Sequence, residues 1–164
     1  MHDHVQRMVG EAERYLHDAA ILEESFAAES SAASLLKVLA LEILLKAAGL
    51  VYMGKYSRTH KYVALWEDLP KRVRDDVLSV GAMRFAGHTD LSDVERLLRD
   101  FEFAFTKVRY HYELYETYSL AEQKELGDYW VELGAPDNEG IVRFHPMELS
   151  AMLHGLQQVL ASAS

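Results

Sequence analysis

Between Ala32 and Met53 the chain leaves almost no face of a helix polar. Leu35, Leu36, Val38, Leu39, Leu41, Ile43, Leu44, Leu45, Leu50 and Val51 are spread around the whole wheel. A helix apolar on every side is either enclosed by other helices or lies in a membrane. Glu42 and Lys46 decide between the two. They interrupt the most apolar run, Val38–Met53, which is then too short and too charged for a span of about 20 apolar residues. The segment is therefore expected at the centre of a helical bundle. Its two charges stand at i, i+4 with the acid first, the favourable order for an intrahelical pair. On the wheel they share a line with Leu35 and Leu39, so they should be partly buried or face a groove. Two roles fit: a helix-stabilising pair whose lysine stem lies on the core, or part of a site.

A second segment also constrains the fold. Phe101–Tyr118 holds seven aromatic residues and no Gly or Pro. Ser92 and Glu95 form a Ser-x-x-Glu capping box upstream, which predicts a helix from there through the aromatic stretch. At about 100° per residue, Phe101, Phe105, Val108, Tyr112 and Tyr115 share one face. Phe103, Tyr110 and Leu114 share the other, so this helix also reads as central. A polar stripe runs between them: Glu102, Thr106, Arg109, Glu113 and Glu116. An arginine between apolar walls and carboxylates belongs either to a structural ion-pair network or to a site.

Periodicity and punctuation supply the other elements. Met8, Ala12, Tyr15, Ala19, Leu22 and Phe26 mark an amphipathic first helix, with His17 on its polar side. Ser30 and Ser31 can cap the second helix, and Gly54 ends it. A short apolar-periodic segment begins at His60, and Pro70 starts a short helix over Lys71–Val80. Gly81–Asp90 reads as a loop. Ser119 and Glu122 form another capping box, predicting a short helix up to Gly127. The runs Tyr129–Leu133 and Ile141–His145 flank a turn-rich GAPDNEG, which predicts a β-hairpin over 129–145. Pro146 opens a last helix with Leu149, Met152, Leu153, Leu156 and Leu160 on its apolar face. The fold class is all-α: an up-down bundle in one domain, 1–164, with a small hairpin insertion.

The net charge of −9 argues against a protein that coats nucleic acid through its overall field. One stretch reverses the sign. From Tyr52 to Arg74 six bases (Lys55, Arg58, Lys61, Lys71, Arg72, Arg74) face two acids, Glu67 and Asp68, and Tyr52, Tyr56 and Tyr62 lie among them. Basic groups hold phosphates and aromatic rings stack bases. A solvated surface loop is the alternative. The absence of cysteine removes disulfides and Cys-ligated metal sites. No Glu-x-x-His pair, HExxH, P-loop or GxGxxG is present, so no cofactor or metal is expected. The N-terminus lacks a basic region followed by an apolar core, and a cytoplasmic protein is the expectation.

Two segments together resemble a known family. Leu41-Glu42-Ile-Leu-Leu-Lys46-Ala-Ala, then Gly54-Lys-Tyr-Ser-Arg-Thr-His60-Lys-Tyr-Val-Ala-Leu65-Trp, is similar to the second helix and following loop of HEPN-domain proteins. Ala104-Phe105-x-x-x-Arg109-Tyr110-x-Tyr112-Glu113 resembles a later long helix of the same group. The likeness covers roughly Met8–Tyr118 and the last helix; residues 119–145 are an insertion. It implies a helical bundle, commonly a homodimer. It also implies either a metal-independent RNase of toxin–antitoxin or phage-defence systems or a non-catalytic RNA- or nucleotide-binding module. The RNase members carry Arg, four to six residues, then His. No arginine here has that spacing: Arg109 precedes His111 too closely, and Arg84 and His88 enclose three residues. The resemblance therefore favours binding over catalysis. It marks Glu42, Lys46, His60, Arg109, Tyr110 and Glu113 as site residues, with Lys55, Arg58 and Lys61 on the basic loop. A variant ribonuclease would use Arg109 with His60, His88 or His111. A purely structural dimer or partner-binding subunit is the third reading.

Overall fold

The apolar segment is enclosed, as its composition requires. It forms α2 (Ser31–Met53), and Val38, Leu41, Leu44, Leu45, Ala47 and Ala48 along it are all buried. The computed structural model of the chain describes residues 2–25, 31–135, 140 and 142–163, with the backbone alone at His2, Val108, Arg109 and His111. Gly54 ends α2 at φ +70°, a left-handed cap that glycine adopts without strain, and its N–H returns to the Leu50 carbonyl.

α1 (His2–Ser25) lies along α2, with Ala12 and Ala19 fully buried where the two meet. Lys37 bonds Glu23 near the connection, and His4 meets Tyr56 at the far end, so the pair runs antiparallel. α3 (Tyr62–Glu67) and α5 (Val94–Lys107) cover another side of α2. Tyr62 is fully buried, and its hydroxyl donates to the Val38 carbonyl at 3.1 Å, which satisfies its one polar atom. α7 (Pro146–Ser162) packs on α2 and also on α4 (Lys71–Arg84). One core joins these helices through Leu44, Tyr62, Val77, Phe101, Met152 and Leu156.

α4 and α7 cross with glycine on both sides. A Cβ at Gly81 would stand 2.5 Å from the Ala151 carbonyl oxygen, and one at Gly155 would stand 2.2 Å from that of Val77. Both obstacles are backbone, so neither can swing aside. The expected Gly81–Asp90 loop is corrected accordingly: α4 continues to Arg84 and buries Gly81.

Three further expectations are corrected. The box at Ser92 does not form. Asp90 takes both the N–H and the hydroxyl of Ser92, and the Asp93 carboxylate instead accepts the Arg96 N–H at the start of α5. A carboxylate is an equally good cap and also suits the helix dipole.

The long aromatic helix ends at Lys107. Beyond it, Val108–Tyr115 is a tighter 3-10 helix, broken at Tyr110 by φ −126°, ψ 52°. β-branched and aromatic residues lose χ1 freedom in an α-helix, so this run holds one poorly. Only one face of α5 is buried, through Leu97, Leu98, Phe101 and Ala104; Phe103, Tyr110 and Tyr112 are exposed.

The β-hairpin expected over 129–145 does not occur among the described residues. Residues 129–132 complete α6 (Leu120–Glu132), no strand occurs among the described residues, and 136–139 and 141 lie outside them. The Ser119–Glu122 box forms as expected, but the helix passes through Gly127, supported by a Lys124–Asp128 ion pair.

This architecture sets two glycines against each other. Gly155→Ala should lower stability by about 1–3 kcal/mol through overpacking. Gly10→Ala, with open space around its Cβ, should raise it by about 0.5–1 kcal/mol. Urea unfolding of the two variants should therefore shift in opposite directions. At Glu122 the backbone N–H and then the hydroxyl of Ser119 hold the carboxyl below its ordinary value. A depressed carboxyl stabilises above its unfolded pKa and loses that effect as pH falls through the folded one. Hydrogen exchange should find α6 opening ahead of α2 as the solution is acidified.

Candidate functional site

Glu42 is the one buried charged residue among those described, 4% exposed on a helix otherwise packed with hydrocarbon. A lone carboxylate there would cost several kcal/mol, so its partners define the site. Its Oε1 accepts from Lys46 Nζ at 2.7 Å and from His60 Nδ1 at 2.9 Å. Oε2 is buried without a hydrogen-bond partner among the described residues. The Lys46 pair is the i, i+4 bridge expected from the sequence. The His60 contact is tertiary: the loop after α2 folds back along its own helix to reach Glu42, about three turns before the helix ends.

Hydroxyl bonds between near neighbours shape that loop. Ser57 Oγ accepts the Thr59 N–H, and Thr59 Oγ1 accepts the Lys61 N–H. Glu102 of α5 then holds the loop's far end, taking Lys61 Nζ at 2.8 Å and the Tyr62 N–H at 3.1 Å. Two carboxylates, one from α2 and one from α5, thus grip the 57–62 segment at His60 and at Lys61.

The geometry fixes the chemistry of His60. An ionised carboxylate only accepts, so Nδ1 is the protonated nitrogen. In the neutral ring the lone pair is then on Nε2. The side chain is 69% exposed, so the ring is held on one side and open to solvent on the other. A histidine oriented in this way by a carboxylate can take or give a proton at Nε2, or meet an anion when charged.

The basic stretch is less free than its composition implies. Lys71 and Arg72 pair with Asp75 and Asp76 on α4, and Lys61 pairs with Glu102. Lys55 and Arg58 are exposed and form no ion pair among the described residues. The structure therefore brings Glu42, Lys46 and His60 together, with Lys55, Arg58 and Lys61 on the same loop. Glu113 is exposed, and Tyr110 stands edge-on to Tyr112. The side chains of Arg109 and His111 lie outside those described. The 3-10 segment that carries them reaches α2.

Sequence reading missed one pair altogether. His145 Nε2 and Asp100 Oδ2 stand 2.9 Å apart, mostly buried, with the imidazole edge-on to Phe101. The pair ties the start of α7 to α5. The sequence separation of 45 residues carried no local signal. Glu102 was visible as part of a polar stripe, but its grip on the loop was not. Neither family models, nor curated proteins, nor solved structures give a match to this chain.

Replacing Lys46 by Met should strand a buried carboxylate with one neighbour and cost about 3–5 kcal/mol. His60→Ala removes an exposed ring and should cost under about 1.5 kcal/mol. Thermal unfolding ranks the two. Long-range ¹H–¹⁵N spectra of His60 should show the Nδ1–H tautomer, and Glu42→Gln should abolish that preference.

Proposed function

We propose that the chain is a HEPN-like RNA- or nucleotide-binding module that works as a homodimer. The observation that carries the reading is the 55–61 loop. It presents two cations unpaired among the described residues, Lys55 and Arg58, beside a histidine held by a buried carboxylate. Phosphate oxygens are met by such groups, and Tyr56 on the same loop offers a ring for stacking. Binding would be local, against an overall charge of −9. It should therefore depend steeply on salt and tolerate many sequences.

One observation favours a variant ribonuclease as the second reading. The His60 ring is largely exposed and its Nδ1 is bonded to a carboxylate, the arrangement of a proton-transferring imidazole. Cleavage by 2′-OH attack also needs positive charge at the developing dianion. Arg109 is the candidate the resemblance supplies, with His111 as another imidazole.

Fluorescence anisotropy with single-stranded RNA across a salt series, with a gel readout of cleavage in the same tubes, tests both readings. Lys55→Gln/Arg58→Gln/Lys61→Gln should weaken binding and flatten the log–log salt slope by about 0.7 for each phosphate no longer neutralised. Undiminished affinity in that variant overturns the assigned surface. Cleavage that disappears in His60→Ala while binding persists would select the ribonuclease.

A further inference from the structure

The basic loop closes one side of a cleft. A volume of about 340 Å³ opens between the last turns of α2, residues 55–57 and α3. Pockets for small ligands begin at about 300 Å³, so this one has room for a single base and no room for a duplex. The loop lies close over α2 because Gly49 has no side chain. A Cβ there would stand 3.2 Å from the Lys55 carbonyl oxygen and 3.3 Å from Tyr56 Cβ. Leu45 and Leu65, both buried, give the cleft apolar walls, and Tyr56 adds an aromatic residue. Apolar and aromatic walls suit the faces of a flat ring.

The polar groups of the cleft are few and of definite kinds. Asp68, at the end of α3, gives its backbone N–H to the Ala64 carbonyl and lines the cleft, as does Lys55. Neither the carboxylate nor the ammonium has a partner among the described residues. Ser57 Oγ accepts the Thr59 N–H, which leaves its hydroxyl hydrogen to donate. An ionised carboxylate only accepts, and it does so at two oxygens. Its best match on a flat ring is an edge with two adjacent N–H donors. Among the four RNA bases guanine alone has that edge, N1–H beside N2–H, with O6 next to them as an acceptor. Adenine and cytosine set a ring-nitrogen lone pair next to their amino group, and uracil flanks its one N–H with carbonyls. Each of those three turns an acceptor towards the second carboxylate oxygen.

We infer that this cleft is a guanine pocket: Asp68 accepts from N1–H and N2–H, Ser57 donates to O6, and Lys55 meets the phosphate of the same nucleotide. The paired bonds to Asp68 are charge-assisted, the stronger kind, so they carry the choice of base. The edge they read is the one used in base pairing, so the guanine has to be unstacked and single-stranded, or free. Arg58 lies outside the lining of the cleft and is left for neighbouring phosphates. The inference rests on the RNA- or nucleotide-binding reading and adds to it a preference at one position.

Fluorescence anisotropy with a labelled oligoadenylate, and with the same strand carrying one central guanosine, tests it beside titrations of GMP, IMP and XMP. The guanosine strand should bind about tenfold tighter than the oligoadenylate, and GMP about tenfold tighter than IMP, which lacks the 2-amino donor. Asp68 is exposed, so Asp68→Asn should fold. That variant should lose the guanine preference and gain one for XMP, whose O2 can accept from the new amide where guanine offered a donor. A gained preference cannot come from misfolding. A preference seen in the strands assigns the pocket to RNA, and one seen only among the mononucleotides assigns it to a free guanine nucleotide. Guanine preference that survives Asp68→Asn overturns the assignment. Equal binding of the two strands, with equal binding of GMP and IMP, overturns the pocket while keeping the binding module. Binding of neither RNA nor nucleotide overturns both.

Discussion

A charge inside a hydrocarbon helix organises this molecule. α2 has to be covered on all sides, and α1, α3, α5 and α7 are placed around it by that requirement. Glu42 sits in the middle of the covered surface and cannot stay there alone. Lys46 answers it from within the helix. His60 answers it from the following loop, so the need to neutralise one carboxylate also decides where that loop runs. The loop's exposed cations are consequently fixed in position by a buried group they never touch.

The other side of the bundle is set by volume. α4 reaches α7 closely only because Gly81 and Gly155 remove two Cβ atoms from opposite sides of the crossing. Close backbone approach of this kind sets one register, since any shift would meet a side chain. That rigidity positions the start of α7, where His145 closes onto Asp100 and joins α7 to α5. Glu42 and Glu102, from α2 and α5, then hold a loop whose frame does not slip.

α6 stands outside this pattern of burial. Its capping box and its Lys124–Asp128 pair make it a helix on local terms alone, and it adds none of its apolar surface to the core.

Much of the fold was legible in residue order. The all-round apolarity of Leu35–Val51 required a central helix, the acid-first spacing of Glu42 and Lys46 required their bridge, and Ser119-x-x-Glu122 required its cap. These are local features, each fixed within one or two turns. Residue order misleads where a neighbour distant in sequence decides. Gly81 looks like a loop residue until Ala151 presses against it. Tyr129–Leu133 looks like a strand because β-prone residues are common there, yet the helix started at Ser119 propagates as far as Glu132. Phe101–Tyr118 looks like one helix, but only its first half has a core to lie on. The sequence by itself determined the helical class, the central helix and the charged pair on it, because hydrophobic period and i, i+4 contact are properties of one segment. Only the tertiary structure decided that His60 and Lys61 are held by Glu42 and Glu102, because those bonds depend on where separate helices come to rest.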